Sequence, residues 1–113
     1  MKLEEEKTMK IAMVGSGAAG SVFASYLRAG GADMTLIDPY KAHMDAVRDN
    51  GMKFTIYPDK TTVLTGFHTA YTADEVDTMD IVIFMTKANQ LESAIQGAKH
   101  CIGPNTVLVS LIN

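Results

Sequence analysis

The hydrophobic pattern divides the chain into short apolar runs that alternate with helical segments. Largely apolar runs, typical of strands covered on both faces, lie at 11–14, 34–37, 81–85 and 106–112. Apolar residues recur with helical spacing at 21–29, 41–49 and 89–100. Strands that alternate with helices predict an α/β fold with a mostly parallel sheet.

The segment 52–71 departs from this alternation because it is rich in threonine and β-branched residues. Two such runs, 54–56 and 61–65, flank Pro58, Asp59 and Lys60, which are typical of a turn. This pattern predicts a short antiparallel hairpin or meander. We therefore expect a Rossmann-type open, mostly parallel sheet flanked by helices, with a short antiparallel β insertion, over residues 9–113, and a flexible polar extension over residues 1–8.

Large apolar side chains are the expected core of this fold. In the first helix, Val22, Phe23, Tyr26 and Leu27 recur on one face and predict the side that packs inward. The eight methionines are scattered through apolar positions and are expected to fill the core.

Composition narrows the classes of function. Ten basic and 13 acidic residues, in a chain with a pI near 5.5, do not favour binding to nucleic acid or to an anionic membrane surface. The single cysteine, Cys101, excludes an internal disulfide, and no His/Cys cluster has the spacing of a metal site. No segment resembles a targeting signal or a membrane span, so we expect a cytoplasmic protein.

A glycine-rich motif follows the first predicted strand and opens the first helix. Its sequence is Gly15-Ser16-Gly17-Ala18-Ala19-Gly20. In a dinucleotide-binding loop, the first glycine permits a tight turn, the second lets the pyrophosphate approach the backbone, and the third lets the helix lie close to the strand. The free N–H groups of the first helical turn attract phosphate. We therefore predict that residues 15–20 bind a dinucleotide.

Asp38 ends the second predicted strand, 18 residues after Gly20. A carboxylate at this position accepts hydrogen bonds from the adenine ribose and repels a 2′-phosphate, so it favours NADH over NADPH. Two alternatives remain open. Asp38 can serve only to start the turn at Pro39, and Lys41 can pair with a phosphate and so permit NADPH.

A second group of polar residues, Thr86-Lys87-Ala88-Asn89-Gln90, follows the apolar run 81–85. In a Rossmann sheet this loop lies near the cofactor's ribose and nicotinamide, where Lys87 can donate to the cofactor or to an acidic substrate. Lysines at such positions are also commonly surface residues without a ligand. Asn113 follows the last predicted strand and is expected at the same edge of the sheet.

These motifs together resemble those of the ketopantoate reductase (2-dehydropantoate 2-reductase) family, over residues 9–113. Lys87-Ala88-x-Gln90 is similar to the family's Lys-Ala-aromatic-Gln motif, and Asn113 to the asparagine of its Asn-Gly motif. The resemblance implies an NAD(P)H-dependent oxidoreductase that reduces 2-dehydropantoate, a 2-keto acid, to pantoate in the synthesis of pantothenate and coenzyme A. It also implies that Lys87 and Asn113 lie near the nicotinamide ribose, with Asn113 near the substrate.

The sequence departs from the family pattern at three points. Asn89 replaces a common aromatic residue, and Asp38 stands where NADPH-using members often carry a basic residue. The helical domain that supplies the family's proton donor is absent from these 113 residues, so we assign no catalytic residue and expect the isolated chain to be inactive. Without that domain, we expect apolar surface of the sheet to stay uncovered, which favours self-association of the chain or a groove open at the cofactor site. The alternative function is a stand-alone NAD(H)-sensing regulatory domain.

We interpret the three histidines and one acidic cluster as structural, not as catalytic or metal-binding groups. His43 and His100 lie at predicted exposed helix ends and His68 in a β connection, and none has a partner at the spacing of a catalytic triad. The acidic cluster of Asp74, Glu75 and Asp77 is more typical of a solvated helix cap than of a metal site.

Overall fold

The computed structural model describes residues 8–15, 17–56 and 60–111. Its strands, in chain order, are β1 (Lys10–Val14), β2 (Asp33–Ile37), β3 (Met52–Ile56), β4 (Lys60–Leu64), β5 (His68–Ala70), β6 (Ile81–Phe84) and β7 (Val107–Ser110). Five of them form a parallel sheet in the order β5-β2-β1-β6-β7. The strands β3 and β4 form a separate antiparallel pair. The predicted open, mostly parallel Rossmann-type sheet with an antiparallel insertion is confirmed.

Among the residues described, three α-helices flank the sheet: α1 (Ala18–Ala29), α2 (Lys41–Asn50) and α3 (Leu91–Gly97). The continuous helix expected over 89–100 is instead three pieces, because 3-10 turns at Ala88–Gln90 and Lys99–Cys101 lie on either side of α3. The acidic segment expected to hold one helical turn forms a 3-10 turn at Ala73–Glu75. Within the described segments, no helix has the length and apolar character that crossing a bilayer requires.

Alternate side chains of the central strands enter two separate apolar clusters, one on each face of the sheet. Met13, Met34 and Leu36 pack on one face with residues of α1 and α2. Ala12 and Phe84 pack on the other, and their cluster includes residues of the 3-10 turns. Five of the methionines in the described segments are buried, which agrees with their expected role in the core; they are Met13, Met34, Met44, Met52 and Met79.

The inward face of α1 differs from the one expected. Val22, Phe23 and Tyr26 are about half exposed, whereas Gly20 and Ala24 are buried against the sheet. The physical reason is distance, since small residues let the helix approach the strands closely where large side chains would hold it away. Of the four residues expected inside, Leu27 is the one that packs against the core.

Two strands also differ from expectation. The segment 52–71 was predicted to form a short antiparallel hairpin or meander; β3 and β4 form the hairpin, but β5, at the end of the segment, pairs in parallel with β2 at the edge of the main sheet. The last strand was expected to be buried, yet Val107 and Leu108 of β7 are exposed. Strand β7 is the outer strand at the opposite edge of the sheet from β5, so fewer side chains cover it. Self-association through such apolar surface stays a prediction.

Cys101 is fully buried at the end of the last 3-10 turn, below the sheet face that carries Phe84. Its thiol donates to the carbonyl oxygen of Ala98 over 3.2 Å. Burial raises the pKa of the Cys101 thiol, because a thiolate would lose its hydration there. The side chain therefore behaves as a small apolar core residue.

Candidate functional site

The carboxyl ends of β1 and β6 form the centre of the candidate site. These strands are neighbours in the sheet. The chain after β1 continues to β2, on one side of this pair of strands, whereas the chain after β6 continues to β7, on the other side. Such a change of direction opens a crevice in which α/β proteins bind ligands. The glycine-rich loop lies on one side of this crevice and residues 85–87 on the other. The amide of Met85 donates to the carbonyl of Val14 over 3.0 Å and joins the two sides.

Gly15 and Gly20 let the loop turn tightly against the sheet. Gly15 has a positive φ of 90°, a conformation that favours glycine, and its amide donates to the Ile37 carbonyl over 3.0 Å. A Cβ atom on Gly20 would collide with the backbone carbonyl oxygen of Gly15. Both glycines thus have the mechanical roles that the motif predicts for the first and third positions.

Gly17 faces open space at the beginning of α1. A Cβ atom added there would have no neighbour within 4 Å among the described atoms. Gly17 is the N-cap residue of α1, no described side chain caps it, and the first turn carries no acidic residue. The positive end of the helix dipole therefore meets the crevice without an acidic side chain of the helix to offset it. This geometry fits a phosphate group near Gly17, Ala18 and Ala19.

Asp38 lies directly after β2 and is held in place by the backbone. Its amide donates to the Ala70 carbonyl over 3.1 Å, and its Oδ1 accepts a bond of 2.8 Å from the amide of Tyr40. The second bond is the turn-forming contact considered as an alternative role for Asp38. A carboxylate has two oxygens with several acceptor sites, so a turn-forming contact and a role in ligand binding are compatible.

Lys87 lies, as expected, at the edge of the sheet that the carboxyl ends of the strands form. It is exposed three residues after the end of β6 and immediately precedes the 3-10 turn Ala88–Gln90. Because β1 and β6 run in parallel and pair through Val14 and Phe84, Lys87 and the glycine-rich loop follow the same edge.

Thr86 is a feature of the crevice to which the sequence pattern assigned no role of its own. Its Oγ1 is buried and, within the described part of the chain, has no hydrogen-bond partner. Its methyl group lies 3.8 Å from the position of a Cβ atom on Gly15. A buried hydroxyl without a partner is unfavourable by about 1–3 kcal/mol, so such a group calls for an explanation, of which a functional role is one. The available signal was its position, directly after a buried strand and before Lys87.

Two of the expected site residues, Ser16 and Asn113, lie outside the described residues. The closest described neighbour of Asn113 along the chain is Leu111, whose amide donates to the Phe84 carbonyl over 3.0 Å. The chain thus still follows β6 two residues before Asn113. The roles expected for Ser16 and Asn113 stay predictions.

The cations of α2 have partners outside the crevice. The ammonium of Lys41 lies 5.3 Å from the centre of the Tyr71 ring, in a cation–π contact. Arg48 pairs with Asp45 and Asp49, which raises the pKa of Arg48 and lowers that of Asp49. A hydrogen bond to Asp45 is the main cause of a raised pKa of Tyr71. This network stabilises the contact between α2 and the loop after β5.

The histidines make separate structural contacts. His68 pairs with Asp33 over 3.0 Å, and Nδ1 of His100 lies 2.8 Å from the carbonyl oxygen of Val76. His43 stacks against Tyr40. In the acidic cluster, Glu75 accepts a bond from the amide of Tyr71. Among the described residues, no group of three or more His, Cys, Asp or Glu side chains is arranged to hold a metal ion.

Comparison with known proteins agrees with this geometry. The family model for ketopantoate reductase PanE/ApbA matches residues 11–113. The 2-dehydropantoate 2-reductase of Lactococcus lactis is 30% identical over 105 residues, which are 93% of this chain and 34% of that protein. The chain thus spans about a third of the length of such curated relatives.

Solved structures give the same result. A 2-dehydropantoate 2-reductase structure from Enterococcus faecalis is 33% identical, with a TM-score of 0.76 over 93% of this chain and 34% of that one. A ternary structure of D-mandelate dehydrogenase with NADH and anilino(oxo)acetate is 32% identical, with the same TM-score and coverage. The crevice, the glycine-rich loop and these matches lead to one conclusion: the chain belongs to the ketopantoate reductase PanE/ApbA family.

Proposed function

We propose that this chain is the nicotinamide-cofactor-binding part of an oxidoreductase that reduces a 2-keto acid. The observation that carries the proposal is the crevice between β1 and β6, which combines the glycine-rich loop with Thr86 and Lys87 at one sheet edge. The D-mandelate dehydrogenase of similar fold holds NADH, and its second ligand is an oxoacetate. The reductase relatives are named for a 2-keto acid, 2-dehydropantoate, which we propose as the substrate.

Each residue has a proposed task in this site. Residues 15–20 bind the pyrophosphate, through the N–H groups at the beginning of α1, and Asp38 accepts hydrogen bonds from the adenine ribose, which favours NADH. We propose that Lys87 and Asn113 contact the nicotinamide ribose and that Asn113 also contacts the substrate. When bound, the reduced nicotinamide supplies the hydride that reduces the keto carbon. We assign the proton donor to no residue of this chain, and we propose that the 113 residues alone bind cofactor without turnover.

Titration of the purified chain with NADH, followed by nucleotide fluorescence, tests this function. We expect saturable binding, weakened about tenfold by Lys87→Ala because one charged hydrogen bond is lost. Lys99→Ala is the matched control. Lys99 is also exposed, but it lies at the opposite end of the strands from Lys87. It belongs to the 3-10 turn that ends at Cys101, and the carbonyl of Cys101 accepts a hydrogen bond from the amide of Met79, just before β6 begins. Absence of NADH and NADPH binding, or rapid turnover of 2-dehydropantoate by this chain, would refute the proposal.

Thr86→Val tests two expected effects of the buried Thr86 hydroxyl, one on stability and one on NADH affinity. We expect the ligand-free variant to gain about 1 kcal/mol in the free energy of unfolding, because valine has the same shape and removes the unsatisfied group. NADH affinity should fall, because rotation about the Cα–Cβ bond of Thr86 can turn the hydroxyl toward a bound nucleotide. Thr86→Ser retains the hydroxyl and should bind NADH like the wild type. A variant that loses stability, or gains it with unchanged affinity, contradicts this role.

A further inference from the structure

Tyr40 is an exposed aromatic residue beside the candidate ribose ligand. It immediately precedes α2, and 67% of its surface is accessible to solvent. Its amide donates to Oδ1 of Asp38 over 2.8 Å, so the backbone of Tyr40 has a fixed position relative to that carboxylate. An aromatic side chain this exposed has little packing of its own to explain its position.

His43, one helical turn further on, supports the Tyr40 ring. The two rings are stacked, with centroids 6.5 Å apart and planes inclined by 26°. His43 is half-buried and lines a cavity of about 330 Å³ between α1, α2 and β3. The histidine is less exposed than the tyrosine on which it stacks, so it limits the orientations that the tyrosine ring adopts.

We propose that Tyr40 forms a stacking platform for the adenine of the bound dinucleotide, with His43 as its support. This inference rests on the proposed function. If Asp38 holds the adenine ribose, the base attached to that ribose lies within reach of a side chain two residues away. Aromatic side chains stack on nucleobases through their π faces, and they do so without a hydrogen-bond requirement.

The other described aromatic side chains near α2 and the hairpin are engaged elsewhere. Tyr71 bonds to Asp45 and lies under Lys41, and Tyr26 packs edge-to-face against Phe54. Tyr40 is therefore the described aromatic ring that combines exposure with a direct bond to Asp38. Its hydroxyl is not required for stacking, so phenylalanine should replace it.

The test compares ligands with and without adenosine on the 113-residue chain. We expect Tyr40→Ala to weaken NADH and ADP-ribose about tenfold, and to leave the affinity for reduced nicotinamide mononucleotide unchanged. Tyr40→Phe should retain the wild-type affinity for all three. Tyr26→Ala, which removes another exposed tyrosine, is the matched control and should bind as the wild type does.

The outcomes distinguish this inference from the function on which it rests. If the wild type binds NADH and Tyr40→Ala binds it equally well, or loses affinity equally for reduced nicotinamide mononucleotide, the stacking role is wrong and the proposed function stands. If the wild type binds neither NADH nor ADP-ribose, the proposed function itself fails. Circular dichroism melting curves verify that each variant is folded; Tyr40→Phe supplies the comparison if the alanine variant is not.

Discussion

Gly17→Ala should lower NADH affinity at least tenfold and leave the fold nearly intact, whereas Gly20→Ala should damage the fold itself. Alanine fits the backbone of Gly17, whose φ is −66°, and its Cβ enters open space, so the free energy of unfolding should change by less than about 1 kcal/mol. The same methyl group would keep a pyrophosphate from the backbone. On Gly20 it collides with the Gly15 carbonyl, and overpacking of this kind costs about 1–3 kcal/mol.

The two variants lie three positions apart in the same glycine-rich motif and add the same methyl group, so each is the control for the other. Chemical denaturation measures the free energy of unfolding, and nucleotide fluorescence measures NADH affinity. Equal affinity of wild type and Gly17→Ala would show that nothing approaches the backbone at this position. Unchanged stability of Gly20→Ala would contradict the close approach of α1 to the loop.

Asp38→Asn should reduce the preference for NADH over NADPH by about tenfold. Asparagine also forms turns of this kind, so the bond from the Tyr40 amide is retained and stability should change little. Only the negative charge is lost, and with it the repulsion of a 2′-phosphate. Affinities of both dinucleotides for wild type and variant, measured at one salt concentration, give the ratio directly.

Asp49→Asn is the matched control for this charge. It removes the same charge from the last turn of α2, where Asp49 pairs with Arg48, and should leave the ratio of affinities unchanged. Wild-type protein that binds NADPH as tightly as NADH would refute the role of Asp38. If both variants shift the ratio of affinities by the same factor, the effect comes from the net charge of the protein and not from the position of Asp38.

The sequence was sufficient to predict the local structure around the candidate site. The glycine spacing predicted a loop between β1 and α1, and the long apolar run before Thr86 predicted the buried strand β6. Parallel strands then bring Lys87 to the edge of the glycine-rich loop. These predictions succeeded because periodicity and turn chemistry act over a few residues.

Features that depend on tertiary packing were not predictable in the same way. Strand β5 has three residues, too few to show a period, and its pairing with β2 joins segments about 33 positions apart. The buried face of α1 was wrong because hydrophobic periodicity gives weight to large side chains, whereas the helix packs through Gly20 and Ala24. The unpaired Thr86 hydroxyl becomes evident only when its surroundings are known.

The burial of Cys101 provides a built-in reporter for this chain. The sequence has one cysteine and no tryptophan, so optical signals of unfolding are limited to weaker chromophores. A thiol reagent reaches Cys101 only when the core around Phe84 opens, and the labelling rate then measures the free energy of that opening. A nucleotide that binds at the carboxyl edge of β6 stabilises the closed form and slows the labelling. Dinucleotide binding is therefore measurable by mass spectrometry of one side chain.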